Sequence, residues 1–210
     1  MIALLALILL QESSPAEDHA WLRFKTGTWI RNHIRINDRD RTDEGIQTLT
    51  LTERNGDEYT IEEASTLSLE KSFHRTKAAV KTGTGRVNVD GKEIDCTIWT
   101  AKGERNGGAT ETTCWIPKGE KNPVRVTFNQ AGVVGEATAA LLKESVTVGD
   151  RTFSCVRLEG KVSTTRGKGD LKIWTSWEIP SAQVKMELVL DTPGGKVKFH
   201  VEAFEIHEEK

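Results

Sequence analysis

The chain offers few residues to do chemistry with. Among 210 residues there are three cysteines, five histidines, two methionines and a single tyrosine. Cys96, Cys114 and Cys155 form no C-x-x-C pair and have no histidine beside them, which excludes the usual zinc patterns. There is no G-x-S-x-G elbow and no S-x-x-K opening a helix, so the common serine nucleophiles are missing. The glycine stretches at 81–85 and 166–170 have no helix behind them to aim amide groups at a phosphate. His19, His33, His74, His200 and His207 are not spaced to share a metal on one strand face, and all are expected to be surface or structural. No catalytic, cofactor or metal residue is assigned, and a non-enzymatic protein is expected. An excess of one charge is also lacking. Twenty-nine lysines and arginines nearly cancel 31 aspartates and glutamates, so nucleic acid is excluded as the expected partner.

Long apolar runs are absent beyond the first ten residues, "MIALLALILL". That run falls short of the roughly 20 residues needed to cross a bilayer but suits the hydrophobic region of a signal peptide. Ser14, Pro15 and Ala16 supply small residues for cleavage. The expectation is a signal peptide over 1–16 and one domain over 17–210. That domain has no transmembrane segment and is exported to the periplasm or the extracellular space.

What the sequence does have is alternation. In "TWIRNHIRIN" (28–37), Ile30, Ile34 and Ile36 share one face while Arg31, His33 and Arg35 share the other, the mark of a half-buried strand. Residues 46–64 read as a hairpin. A loop at Arg54, Asn55 and Gly56 would set Leu51 opposite Tyr59 and Leu49 opposite Ile61, with Gly56 left-handed. "GEATAALLKES" (135–145) lacks a helix stop and reads as strand; 17–24 is the other short helical candidate. Near the end, Val197, Phe199 and Val201 share a face that shifts phase to Phe204 and Ile206, which predicts a bulge near Ala203.

One phrase occurs twice. "VNVDGKEIDC" (87–96) returns as "VTVGDRTFSC" (146–155), 59 residues on. Each copy is two strands joined by a tight turn, at Asp90-Gly91 and at Gly149-Asp150. Followed outward, the copies become units of about 86–128 and 145–190. These are antiparallel meanders in which Trp115 is matched to Trp177, and Pro117 and Pro180 each end a strand. The fold class predicted is all-β with little helix: a single curled antiparallel sheet, a half-barrel or flattened barrel with a duplicated meander.

"WIPKGEKNPVRVTFNQAG", "KIWTSWEIPSAQVKMELVLDTPGG" and "HAWLRFKTGTWIRNH" resemble segments of uncharacterised secreted bacterial β-rich proteins and, distantly, of the periplasmic lipoprotein-carrier half-barrels. The resemblance runs over most of 19–206. It implies a curled sheet whose apolar concave face holds acyl chains, although the helices that cap that face in carriers are missing here. The expected function is therefore an exported protein binding an apolar, lipid-like ligand. The alternative is a structural or protein-interaction module of the cell envelope, with a closed β core and no small-molecule ligand. Val124, Val126, Phe128, Trp177, Val184, Met186 and Leu188 are the candidate ligand-lining residues. Cys96 and Cys114 lie symmetrically about position 105, which suggests a cross-strand disulfide with Cys155 a buried free thiol; the alternative is three reduced, buried cysteines acting as small apolar residues.

Overall fold

The computed structural model describes residues 21–130 and 132–209; the expected signal peptide, 1–16, lies outside the described residues. A 3₁₀ turn at Trp21–Arg23 leads into thirteen strands. They are β1 (Trp29–Asp38), β2 (Arg41–Asn55), β3 (Glu58–Ser65), β4 (Ser68–Lys77), β5 (Val80–Val89), β6 (Lys92–Arg105) and β7 (Gly108–Pro117). There follow β8 (Arg125–Gln130), β9 (Val133–Val148), β10 (Arg151–Thr164), β11 (Gly167–Thr175), β12 (Gln183–Thr192) and β13 (Gly195–His207). Every pairing is antiparallel, and no helix among the described residues is long and apolar enough to cross a membrane.

Neighbours in sequence are neighbours in the sheet, except that β4 does not pair with β5 and β1 also pairs with β13. A half-barrel would leave β4 as a free edge. Instead β4 pairs with the far end of β6, so twelve strands form a closed ring. The expected half-barrel is corrected by this one contact. Its origin is the length of β6, fourteen residues, which outruns its hairpin partner. Lys92–Thr100 is used up on β5, and Gly103–Arg105 remains for β4. Strands β4 and β5 thus lie end to end along one edge of β6, and β5 is the thirteenth strand, held by β6 alone.

The two sequence copies are two structural copies. The chain β5-β6-β7-β8 repeats as β9-β10-β11-β12, with tight turns where the sequence put them. Asp90 and Gly91 both have positive φ, the signature of the type I′ turn that follows the twist of a hairpin. The register changes one match, however. Trp115 pairs with Arg125, whose guanidinium carbon sits 4.8 Å from its ring; Trp174 pairs with Lys185, whose ammonium sits 4.8 Å from its ring. Trp174, 59 residues after Trp115, is therefore its counterpart, and Trp177 lies beyond the end of β11. Pro117 closes β7, while Pro180 falls in the β11–β12 loop.

Other local expectations divide. Residues 135–145 lie within strand β9. The β13 bulge occurs as read: Arg31 faces Glu205 and Asn32 faces Ala203, so Phe204 is skipped. The β2–β3 register does not. The turn is Gly56-Asp57, and a bulge at Thr52 sets Leu51 opposite Ile61. The bulge achieves what a longer loop was expected to achieve, bringing Leu49, Leu51, Tyr59 and Ile61 all inside.

Two apolar clusters fill the ring. The larger runs over β5–β13 and β1, with Val126, Phe128, Leu158, Ile173, Met186 and Phe199 at its centre. The smaller, at the end where the chain enters, packs Trp21, Leu22, Tyr59, Phe153, Trp174 and Ile179. The adjacent strands β9 and β10 approach closely enough that a Cβ on Gly160 would fall 1.8 Å from the Glu136 carbonyl oxygen. Only glycine fits there.

The cysteine expectation is corrected too. The β6–β7 hairpin turns at Asn106-Gly107, not at 105, so Cys96 faces Pro117 and Cys114 faces Trp99. The thiols are offset by three residues, about 10 Å along the strand, beyond disulfide reach. All three cysteines are free and buried. Burial, with Glu144 and Glu178 adding to it, pushes the Cys155 thiol up to about 12. Iodoacetamide at pH 8 is expected to leave the native protein unmodified and to add three groups in unreduced denaturant. A single addition in denaturant would show a bridge.

Candidate functional site at the barrel seam

The closure of the ring is its narrowest junction. Only three residue pairs join β4 to β6: His74 with Arg105, Arg75 with Glu104, and Thr76 with Gly103. Every other junction in the ring has six or more.

Behind these pairs the inward positions are polar. Alternation along β1 puts Asn32 between Ile30 and Ile34, and all three point inside. The same parity brings in Gln47 on β2, Glu63 on β3, His74 on β4 and Arg105 on β6. Their hydrogen bonds form one chain across five successive strands of the ring. Asn32 Nδ2 donates to Gln47 Oε1 at 3.0 Å, and Gln47 Nε2 donates to Glu63 Oε1. Glu63 Oε2 takes both His74 Nε2, at 2.9 Å, and Arg105 Nη2, at 3.0 Å. The side chains of Glu63, His74 and Arg105 are 0%, 3% and 6% exposed. The layer continues into Thr110 and Thr112 on β7 and Gln130 on β8.

A carboxylate can only accept, so the ring nitrogen facing it carries the hydrogen. Burial pushes the His74 pKa below its ordinary value. The hydrogen bond to Glu63 opposes that shift, and the nearby Arg105 charge adds to it. The cluster is then one carboxylate balanced by one guanidinium, with a neutral imidazole beside them. Nothing in it is open to a substrate, so its work is structural: it holds β3, β4 and β6 together. Asn106, in the β6–β7 turn, reinforces the join. Its Oδ1 accepts from Phe73 N at 3.4 Å, and its Nδ2 donates to Ser72 Oγ at 3.1 Å.

The expected ligand-lining residues fall in three places. Val124, Val126, Phe128, Met186 and Leu188 belong to the larger cluster and Val184 to the smaller, none more than 4% exposed. Trp177 stands apart in the β11–β12 loop, half-buried, with Arg23 Cζ 4.2 Å and Lys121 Nζ 3.9 Å from its ring centre. Grooves formed by the described residues mark the outer surface. One of about 830 Å³ lies over β7–β11, where its charges answer one another: Lys161 pairs with Asp170, Lys102 with Glu111, and Arg125 with Glu136. Another, about 590 Å³, is flanked by His33, Glu44, His200 and Glu202. Among the described residues no three His, Cys, Asp or Glu side chains converge as a metal site would require.

The seam cluster was not singled out from the sequence. Its signal was Asn32, a polar residue on the Ile30/Ile34/Ile36 face, and Glu63, which shares a face with Tyr59 and Ile61.

No protein-family model matches the chain, and no curated protein does. Two solved structures are similar to it. One is an exported protein with a YmcC-like fold from Bacteroides fragilis, 12% identical, covering 88% of this chain and 97% of its own, with a TM-score of 0.44. The other is a LolA superfamily protein from Nitrosomonas europaea, 10% identical, covering 99% of this chain and 95% of its own, also with a TM-score of 0.44.

Removing one partner of a buried ion pair leaves the other charged and unmatched, at a cost of about 3–5 kcal/mol. Arg105→Met is therefore expected to lower the urea midpoint by that much stability at pH 8. Lys102→Met, two residues away on the exposed face, is expected to change it by less than about 1 kcal/mol.

Proposed function

We propose that the chain is an exported, non-catalytic binding protein that carries an apolar, lipid-like ligand against the inner wall of its barrel. The observation that carries this reading is the pairing of an apolar wall with a weak seam. The larger cluster lines ten strands, and the ring around it is closed by three residue pairs. Parting β4 from β6 would give an acyl chain access to Val126, Phe128, Met186 and Leu188 without breaking a longer ladder. Each such side chain gives about 1.5–3 kcal/mol when covered, so a ligand inserted there replaces packing lost between the walls. In the structure described here the opposite wall does the covering.

That same burial favours a second reading, in which the core stays shut and the protein serves the cell envelope through its outer surface. Titration with a fluorescent fatty acid separates the two. The carrier reading expects saturable binding that is lost in Met186→Asp while circular dichroism still shows a folded sheet. Absence of binding by the wild-type protein, together with unfolding of Met186→Asp, contradicts it and leaves the closed module.

A further inference from the structure

We propose that His74 is a proton-operated latch on the barrel, and that adding a second proton to its imidazole parts β4 from β6. The inference rests on the seam alone and does not require a ligand. His74 occupies one of the three pairs that close the ring, opposite Arg105. Of the charged groups packed on it, Glu63 reaches it from β3 and Arg105 from β6; from β2 the cluster receives only the neutral amide of Gln47. With a neutral imidazole the site is balanced. A second proton leaves two cations against one carboxylate, in a place where solvent reaches at most 6% of each side chain. Burying an uncompensated charge is costly, and the structure has one cheap escape. Releasing three backbone pairs lets water reach both cations, while the rest of the ring keeps its ladders.

The sign follows from linkage. Burial holds the folded His74 below its ordinary value near 6.5, so the open state takes up the proton first as pH falls. Closure is then at full strength above about pH 6.5 and weakens below it. One proton taken up on opening means that the open population grows by up to about tenfold per pH unit. His33, His200 and His207 lie on the outer surface, away from this site.

Native-state amide hydrogen exchange between pH 7.5 and 5, corrected for intrinsic rates, tests this. The amides of 74–76 and 103–105 are expected to lose protection by up to about tenfold per unit below pH 6.5. Those of 125–130 and 133–138 should hold steady. His74→Gln keeps a donor for Glu63 and should flatten the response at the seam. Should that variant fail to fold, a disulfide between Arg75→Cys and Glu104→Cys, with His74 intact, should flatten it equally. An unchanged acid response in either variant overturns the proposal. So does a wild-type response shared equally by all strands, or none at all. Fatty-acid titration is scored separately, so a latch without a ligand and a ligand without a latch give different results.

Discussion

Glu63 holds the ring together. Its carboxylate, wholly out of solvent, takes hydrogen bonds from Gln47, His74 and Arg105. Through them it ties β2, β4 and β6 to its own strand. A buried ion pair does not by itself stabilise a fold, because desolvation offsets most of the attraction. What it supplies here is register. Only when β4 stands opposite the last three residues of β6 do Arg105 and His74 both reach Glu63. A slip of one residue would turn His74 to the solvent face and bury Arg75 or Phe73 instead.

Among the described residues no helix covers the sheet, and this constraint makes one unnecessary. An open curled sheet must hide its concave face and protect its edges. Closing the ring does both; the edges left unpaired are that of β5 and the part of β4 outside His74–Thr76. The two meanders supply most of the wall. Each puts alternate apolar residues inside and sets a tryptophan, Trp115 or Trp174, under a cation from the next strand. The apolar filling of β9–β13 and the polar layer behind β1–β4 and β6–β8 follow one rule of alternation, applied to different residues.

The same rule explains how much could be read without coordinates. Strand identity, the paired turns, the bulge in β13 and the inward set around Met186 all follow from period-2 patterning and turn chemistry, which are local. The register at Thr52 was missed because a bulge inside a strand leaves no turn residue to announce it. No disulfide forms because cysteine symmetry does not set the hairpin centre; Asn106 and Gly107, both at positive φ, do. Closure depends on β6 outrunning β5, a comparison of lengths between strands whose ends the sequence does not mark. His74 reads as surface or structural, and Glu63 is not singled out, because their partners lie 11 to 42 positions away.

Direct proof of closure is a crosslink across the seam. Arg75 and Glu104 face each other on β4 and β6, where opposed Cβ atoms lie about 4.5–5.5 Å apart. The double substitution Arg75→Cys and Glu104→Cys should oxidise to a disulfide between positions 75 and 104 at pH 8. Non-reducing peptide mapping would identify it apart from the buried native thiols. Lys102→Cys with Glu111→Cys, opposed within the β6–β7 hairpin, serves as the control. A bridge in both proteins is the outcome a closed twelve-strand ring predicts. A bridge in the hairpin control but free thiols at 75 and 104 would mean that the sheet stands open and the ring does not exist.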